Sequence, residues 1–121
     1  MPRVTHFEIP ADYPERAARF YEEAFGWQIK KWDGPEDYWL ATTGATDEPG
    51  INGAIIQRDD LHVTRNSINV PSIEEFIGRI VKAGGRVRKA KITIPRVGYR
   101  AYCEDTEGNL FIIMEKDSEA Q

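Results

Sequence analysis

The stretch DYPERAARFYEEAFG, residues 12–26, returns about 60 residues later in altered form as SIEEFIGRIVKAGG, residues 72–85. In the first copy Ala17, Phe20, Tyr21, Ala24 and Phe25 fall at i, i+3, i+4, i+7 and i+8, one apolar stripe on a helix. In the second, Ile73, Phe76, Ile77, Ile80 and Val81 fill the same template. Asp12 with Glu15, and Ser72 with Glu75, have the spacing of a capping box. Pro14 suits a first helical turn, where its missing N–H has no partner to lose. Gly26 and Gly84-Gly85 supply the stops. The spacing predicts helices near 13–25 and 73–83.

Working outward, Val4 to Ile9 alternates as a strand before the first helix. Trp27 to Trp32, Tyr38 to Thr43 and Ile51 to Gln57 follow it, broken by Asp33-Gly34-Pro35 and by Gly44 to Gly50. The second copy has Ser67 to Val70 before its helix, beginning a residue or two earlier. Arg86 to Ile94, Gly98 to Glu104 and Asn109 to Lys116 come after. Asp105-Thr106-Glu107-Gly108 reads as the last hairpin turn, with Glu104 opposite Asn109. The chain is therefore expected to be α+β: two βαβββ modules, about 3–58 and about 64–116, within one domain spanning 1–121. Each helix can cover only one sheet face. Two curled mixed sheets side by side leave a cleft, and clefts bind small molecules. The polar tail Asp117 to Gln121 is expected to fray.

Composition narrows the function classes. The 121 residues are 40% hydrophobic and 30% charged, the balance of a soluble domain. The longest apolar run, Leu110 to Met114, is far too short to span a membrane. Met1 to His6 has no apolar core of a secretory signal. A formal charge of −4 repels phosphate backbones, so nucleic acid is not an expected partner. The basic run Arg86 to Lys91 reads as a solvated edge strand, with Arg86, Arg88 and Ala90 on one face and Val87, Lys89 and Lys91 on the other. A single cysteine, Cys103, excludes an intrachain disulfide and a cysteine-based zinc site, so a reducing cytoplasm is the expected location.

Three motifs carry a family resemblance. His6-Phe7-Glu8-Ile9-Pro10-Ala11-Asp12, Arg19-Phe20-Tyr21-Glu22-Glu23-Ala24-Phe25-Gly26-Trp27, and Asp105-Thr106-Glu107-Gly108-Asn109-Leu110 resemble the vicinal oxygen chelate superfamily over nearly the whole chain. That superfamily includes glyoxalase I, extradiol dioxygenases, and fosfomycin and bleomycin resistance proteins. The likeness is greatest to short glyoxalase-like proteins. It implies a metal between modules, with ligands from the first and last strand of each. His6 stands at the first position and Gln57 at the second. Arg65 stands at the third, or Asn66 if the strand slips by one. Ile112, four residues after Gly108, replaces the usual carboxylate. A guanidinium and an aliphatic chain hold no divalent cation. No metal is therefore expected, unless a bulge brings Glu115 together with His6.

With the superfamily register, His6, Glu8 and Pro10 point into the cleft. His6 is either a structural histidine or a proton carrier and hydrogen bonder to a ligand. Glu8 is either a general base beside His6 or an ion-pair partner of Arg65. Arg65 can attract a carboxylate or an enolate-like oxyanion. Tyr99 either hydrogen-bonds a ligand or packs. Cys103 reads as a packed thiol, because no base is in view to activate it. Trp27, Trp32 and Trp39 suit a core or a dimer interface, or one of them floors the pocket.

These residues frame the expected function. The chain reads as a glyoxalase-like small-molecule-binding protein, with a lyase or isomerase of small oxygenated metabolites as one form of it. His6 and Glu8 would then be catalytic, and Gln57, Arg65, Tyr99 and Ile112 would bind substrate. The alternative is a non-catalytic, sequestering module of the bleomycin-resistance type. A homodimer is expected, because an open cleft leaves apolar edges and tryptophans to cover.

Overall fold

A computed structural model describes residues 1–121. The elements run β1 (Arg3–Ala11), α1 (Pro14–Phe25), β2 (Gln28–Lys31), β3 (Tyr38–Thr42), β4 (Gly53–Gln57), β5 (Arg65–Asn69), α2 (Ile73–Lys82), β6 (Arg86–Ile94), β7 (Gly98–Glu104) and β8 (Leu110–Lys116). The fold class is α+β, and the βαβββ order occurs twice. The chain divides into a first unit, His6–Thr64, and a second, Arg65–Gln121 together with Met1–Thr5. No helix is long and apolar enough to cross a membrane.

In the first unit β1 pairs parallel with β4, and β3 pairs antiparallel with both β4 and β2. One sheet face packs on α1: Ala11, Ala18 and Ile55 are buried, with Ile9, Ala17, Tyr21, Ile29 and Trp39 against them. Tyr21 stacks flat on Trp27 at 4.8 Å, which ties the helix end to the following strand. Gly26 stops α1 in the left-handed conformation, φ 73°, and donates its N–H to the Glu22 carbonyl. The expected capping box at Asp12 is not formed. The cap position is Tyr13, without a side-chain bond. Asp12 is engaged elsewhere: its carboxylate accepts from Arg58 Nε at 2.9 Å. An ion pair with β4's extension thus replaces the cap.

In the second unit β5 pairs parallel with β8, β8 antiparallel with β7, and β7 antiparallel with β6. Val70, Ile73, Ala101, Cys103 and Ile113 form the core beneath α2, with Phe76, Ile77, Ile80, Tyr99 and Phe111 around them. Each fully buried isoleucine here contributes about 2–3 kcal/mol. The second cap behaves as its spacing predicts: Ser72 Oγ accepts from the Glu75 N–H at 3.2 Å. The tail does not fray as expected. Ala120 is buried, and its carbonyl accepts from the Arg96 N–H at 2.9 Å, so the chain end is tied to the β6–β7 turn.

Two expectations of register are corrected. Glu104 pairs with Leu110, not Asn109. The Asp105 carboxylate accepts from the N–H groups of Glu107 and Asn109, and the Asp105 N–H donates to the Asn109 carbonyl. Asp105 and Asn109 therefore close the turn, and everything beyond shifts by one residue. The alternation expected in β6 also fails. Its pairing with β7 is irregular between Val87 and Lys89 and between Lys89 and Ile92. Lys89 consequently pairs with Tyr102, whereas Val87 pairs with Cys103.

Candidate functional site

The shift in the β7–β8 hairpin decides which side chains leave the core. A one-residue slip moves every side chain to the other sheet face. Tyr99, Ala101 and Cys103 lie under α2, and Gly98, Arg100, Tyr102 and Glu104 take the opposite face. Cross-strand partners share a face, so Ile112 joins Tyr102 there, and Ser67 joins Ile112. Alternation along β5 adds Arg65 and Asn69.

This face of the second unit is polar and largely buried. Arg65, Ser67, Asn69, Arg100, Tyr102 and Ile112 are all buried, and Arg65 is only 2% exposed. The Arg65 guanidinium lies 5.0 Å from the Tyr102 ring centre, and that of Arg100 5.3 Å. The Lys89 ammonium lies 5.8 Å from the same ring. Three cationic side chains thus share one phenol, whose π face is the part that attracts cations. A planar guanidinium held against a ring is pre-oriented to meet a carboxylate or other oxyanion with two parallel hydrogen bonds. At the outer edge Glu104 accepts from Arg86 Nε at 2.8 Å and also from Arg88. Those two hydrogen bonds hold its carboxyl below the usual range.

The first unit holds a different kind of pair. Glu8 is 2% exposed, and its carboxylate accepts from the Tyr38 hydroxyl at 2.5 Å. The Tyr38 ring leans on Trp32 at 5.8 Å. His6, half-buried, lies two residues before Glu8 on the same side of β1. The Tyr38 phenol thus supplies a charge-assisted hydrogen bond to a carboxylate withdrawn from water.

The remaining candidates are engaged elsewhere. Gln57 shares the α1 side of β4 with Ile55, and its amide donates to the Asp12 carbonyl at 3.0 Å. Tyr99 packs in the core under α2 and donates to Asp117 at 3.3 Å. Burial first, then the neighbouring Asp117, raises its pKa. Cys103 is fully buried, and burial pushes its thiol up to about 11, the opposite of nucleophile activation. Glu115 accepts from the Ile73 N–H at 3.0 Å and so serves the start of α2. Trp27 and Trp39 belong to the α1 side.

The four implied ligand positions therefore hold an imidazole, an amide already used by a backbone carbonyl, a buried guanidinium and an isoleucine. That donor set does not fit a divalent cation. Tyr38, Tyr102, Arg100 and Lys89 were not legible as site residues. For Tyr102 and Arg100 the signal is present in the strand alternation, but it points the right way only in the register that the Asp105 turn sets.

Comparison with known proteins bears on the fold. Residues 3–44 match the family model described as bleomycin resistance protein-like N-terminal. A glyoxylase-like domain-containing protein of Didymella fabae is 28% identical over 117 residues, covering 92% of this chain and 91% of that protein. Methylmalonyl-CoA epimerase from Mycobacterium tuberculosis superposes with a TM-score of 0.68 at 13% identity, over 94% of this chain and 87% of that one. A hypothetical protein from Bacillus halodurans C-125 gives 0.69 at 16% identity, over 98% and 97%. A variant of Streptomyces coelicolor methylmalonyl-CoA epimerase, solved with 2-nitronate-propionyl-CoA, gives 0.68 at 13% identity, over 100% and 99%. The family-model match, the glyoxylase-like relative and the shared architecture all point to the vicinal oxygen chelate superfamily, whose fold this chain has.

Proposed function

We propose that the protein binds a small oxygenated metabolite through an oxyanion, a carboxylate first of all, and does so without a divalent metal. The observation that carries this reading is Arg65: buried, seated over Tyr102, and accompanied on that ring by Arg100 and Lys89. Burying a guanidinium costs several kcal/mol in lost hydration, which contacts within the fold offset, and its fixed charge and planar fork suit a ligand oxyanion. Ser67 and Asn69 add neutral hydrogen-bonding groups to the same face, and Ile112 gives it an apolar patch. Fold relatives lend support, since one is solved with a nitronate, itself an oxyanion.

A second reading adds proton transfer, the step of a lyase or isomerase. The short Tyr38–Glu8 hydrogen bond favours it, because a buried carboxylate with an adjustable donor can take and return a proton. His6 would assist by hydrogen-bonding the ligand, and His6→Ala would weaken binding by about 1–2 kcal/mol. The readings separate in heavy water. Wild-type protein that exchanges a ligand C–H for deuterium, with Glu8→Gln inactive, is an enzyme. Protein that binds without exchange is a sequestering module.

Thermal unfolding with a series of small 2-oxo and 2-hydroxy acids, each beside its neutral amide, tests the binding itself. Stabilisation by acids alone is the expected result. We place the protein in the cytoplasm as a homodimer. Tyr13, Phe20 and Phe25, exposed at 64%, 58% and 65%, support the dimer.

A further inference from the structure

We propose that α1 is the dimer contact, docking antiparallel on α1 of a second copy about a two-fold axis that passes between Arg19 and Phe20. This rests on the reading that the chain is a homodimer and names the surface. Arg16, Phe20 and Glu23 fall at i, i+4 and i+7, one stripe along the outside of α1, and all three are exposed. The opposite side of the helix, with Ala18 and Tyr21, is the one used against the sheet.

The charges along this stripe are self-complementary. Arg16 and Arg19 lie toward the N-terminal end of α1, beside Glu15, which the axis sets against the neutral Ala24 of the second copy; Glu22 and Glu23 lie toward its C-terminal end. An antiparallel two-fold axis at that point sets each residue against the one whose number completes the sum of its two central positions. Arg16 then meets Glu23 of the second copy, and symmetry makes the same pair again. Phe20 meets Arg19 of the second copy, a cation–aromatic contact, also twice. A parallel arrangement would set like charges together. Beside this end lies a depression of about 420 Å³ whose lining includes Tyr13, Arg16, Phe20 and the ion-paired Asp12 and Arg58, room for side chains of the other helix.

The contact is small. A 12-residue helix is about 18 Å long. An interface built on it lies below the roughly 1,200 Å² of stable complexes, so dissociation in the range of tens to hundreds of micromolar is expected.

Sedimentation equilibrium from about 10 µM to 1 mM reads this directly. Arg16→Glu and Glu23→Arg should each raise the dissociation constant about tenfold or more, because symmetry places two like-charge contacts in every dimer. An equimolar mixture of the two variants should associate again. One variant is then acidic at both positions and the other basic at both, so each of the two contacts in the mixed dimer joins opposite charges. Phe20→Ser should weaken association, and mixing should not rescue it. Unchanged melting temperatures would confirm that these surface variants fold. Wild-type protein that stays monomeric at 1 mM overturns both the dimer and its surface. A dimer that neither charge variant weakens, or variants that stay apart when mixed, overturns the surface alone.

Discussion

The guanidinium of Arg65 and the ring of Tyr102 are 5.0 Å apart, both buried, on adjoining positions of one sheet face. They come from strands far apart in sequence, linked through β8: Ser67 pairs with Ile112, and Ile112 with Tyr102. The ring is one of the groups that support the buried charge. Tyr102→Phe keeps the π face and should cost less than about 1 kcal/mol of stability. Tyr102→Leu removes it and should cost about 1–3 kcal/mol, with urea unfolding as the measurement.

Glu8 and Tyr38 make the corresponding test in the first unit. Their hydrogen bond is 2.5 Å long and Glu8 is buried. Removing the phenol takes one donor from a buried carboxylate. Tyr38→Phe is therefore expected to destabilise by about 1–3 kcal/mol, and Tyr38→Phe combined with Glu8→Gln by less than the sum of the two.

Acid should weaken the second unit through Glu104. Its carboxyl lies below the ordinary value of 4.5, first because Arg86 and Arg88 hydrogen-bond its charged form. A carboxyl lowered in the folded state contributes stability above its unfolded value and loses it as pH falls through the folded one. Stability should thus decline below about pH 4.5, and Glu104→Gln should flatten that decline while lowering stability at neutral pH. Denaturant titrations at a series of pH values between 7 and 3 measure both effects.

Cys103 should be inert in the native protein. With the thiol up at about 11 and no exposed surface, almost no thiolate is present at pH 8. A disulfide reagent should label it at least about a hundredfold more slowly than in the denatured chain. Fast native labelling would mean that β7 opens readily.

Much of the architecture could be read from the residues, because two helical stripes and their glycine stops are local signals. Phe76, Ile77 and Ile80 lie where the 3.6-residue period puts them. The first stripe is corrected: Ala17 and Tyr21 pack on the sheet, whereas Phe20, Ala24 and Phe25 are exposed. The hairpin departs from its expected register because the Asp105 side chain, rather than the backbone pattern, sets where the turn closes. That single residue replaces Tyr99 by Tyr102 as the aromatic on the sheet face of Ile112. Asp12 departs for a similar reason: Arg58, 46 residues away, competes for the carboxylate that local spacing assigns to the helix cap. Arg65 was legible because the superfamily resemblance puts it, or Asn66 if the strand slips by one, at the third ligand position. Its partner ring was not, since a cation–aromatic contact leaves no spacing in the sequence. The β6 irregularities, which bring Lys89 onto Tyr102, likewise have no local mark.

Isothermal titration of wild-type and Arg65→Gln protein with a stabilising acid and its neutral amide tests the central claim most directly. The account predicts binding of the acid by wild-type protein, no measurable binding of the amide, and affinity for the acid lowered about tenfold to a hundredfold in Arg65→Gln. The variant should still unfold cooperatively. Equal affinity for acid and amide, or acid binding that Arg65→Gln leaves unchanged, would contradict it.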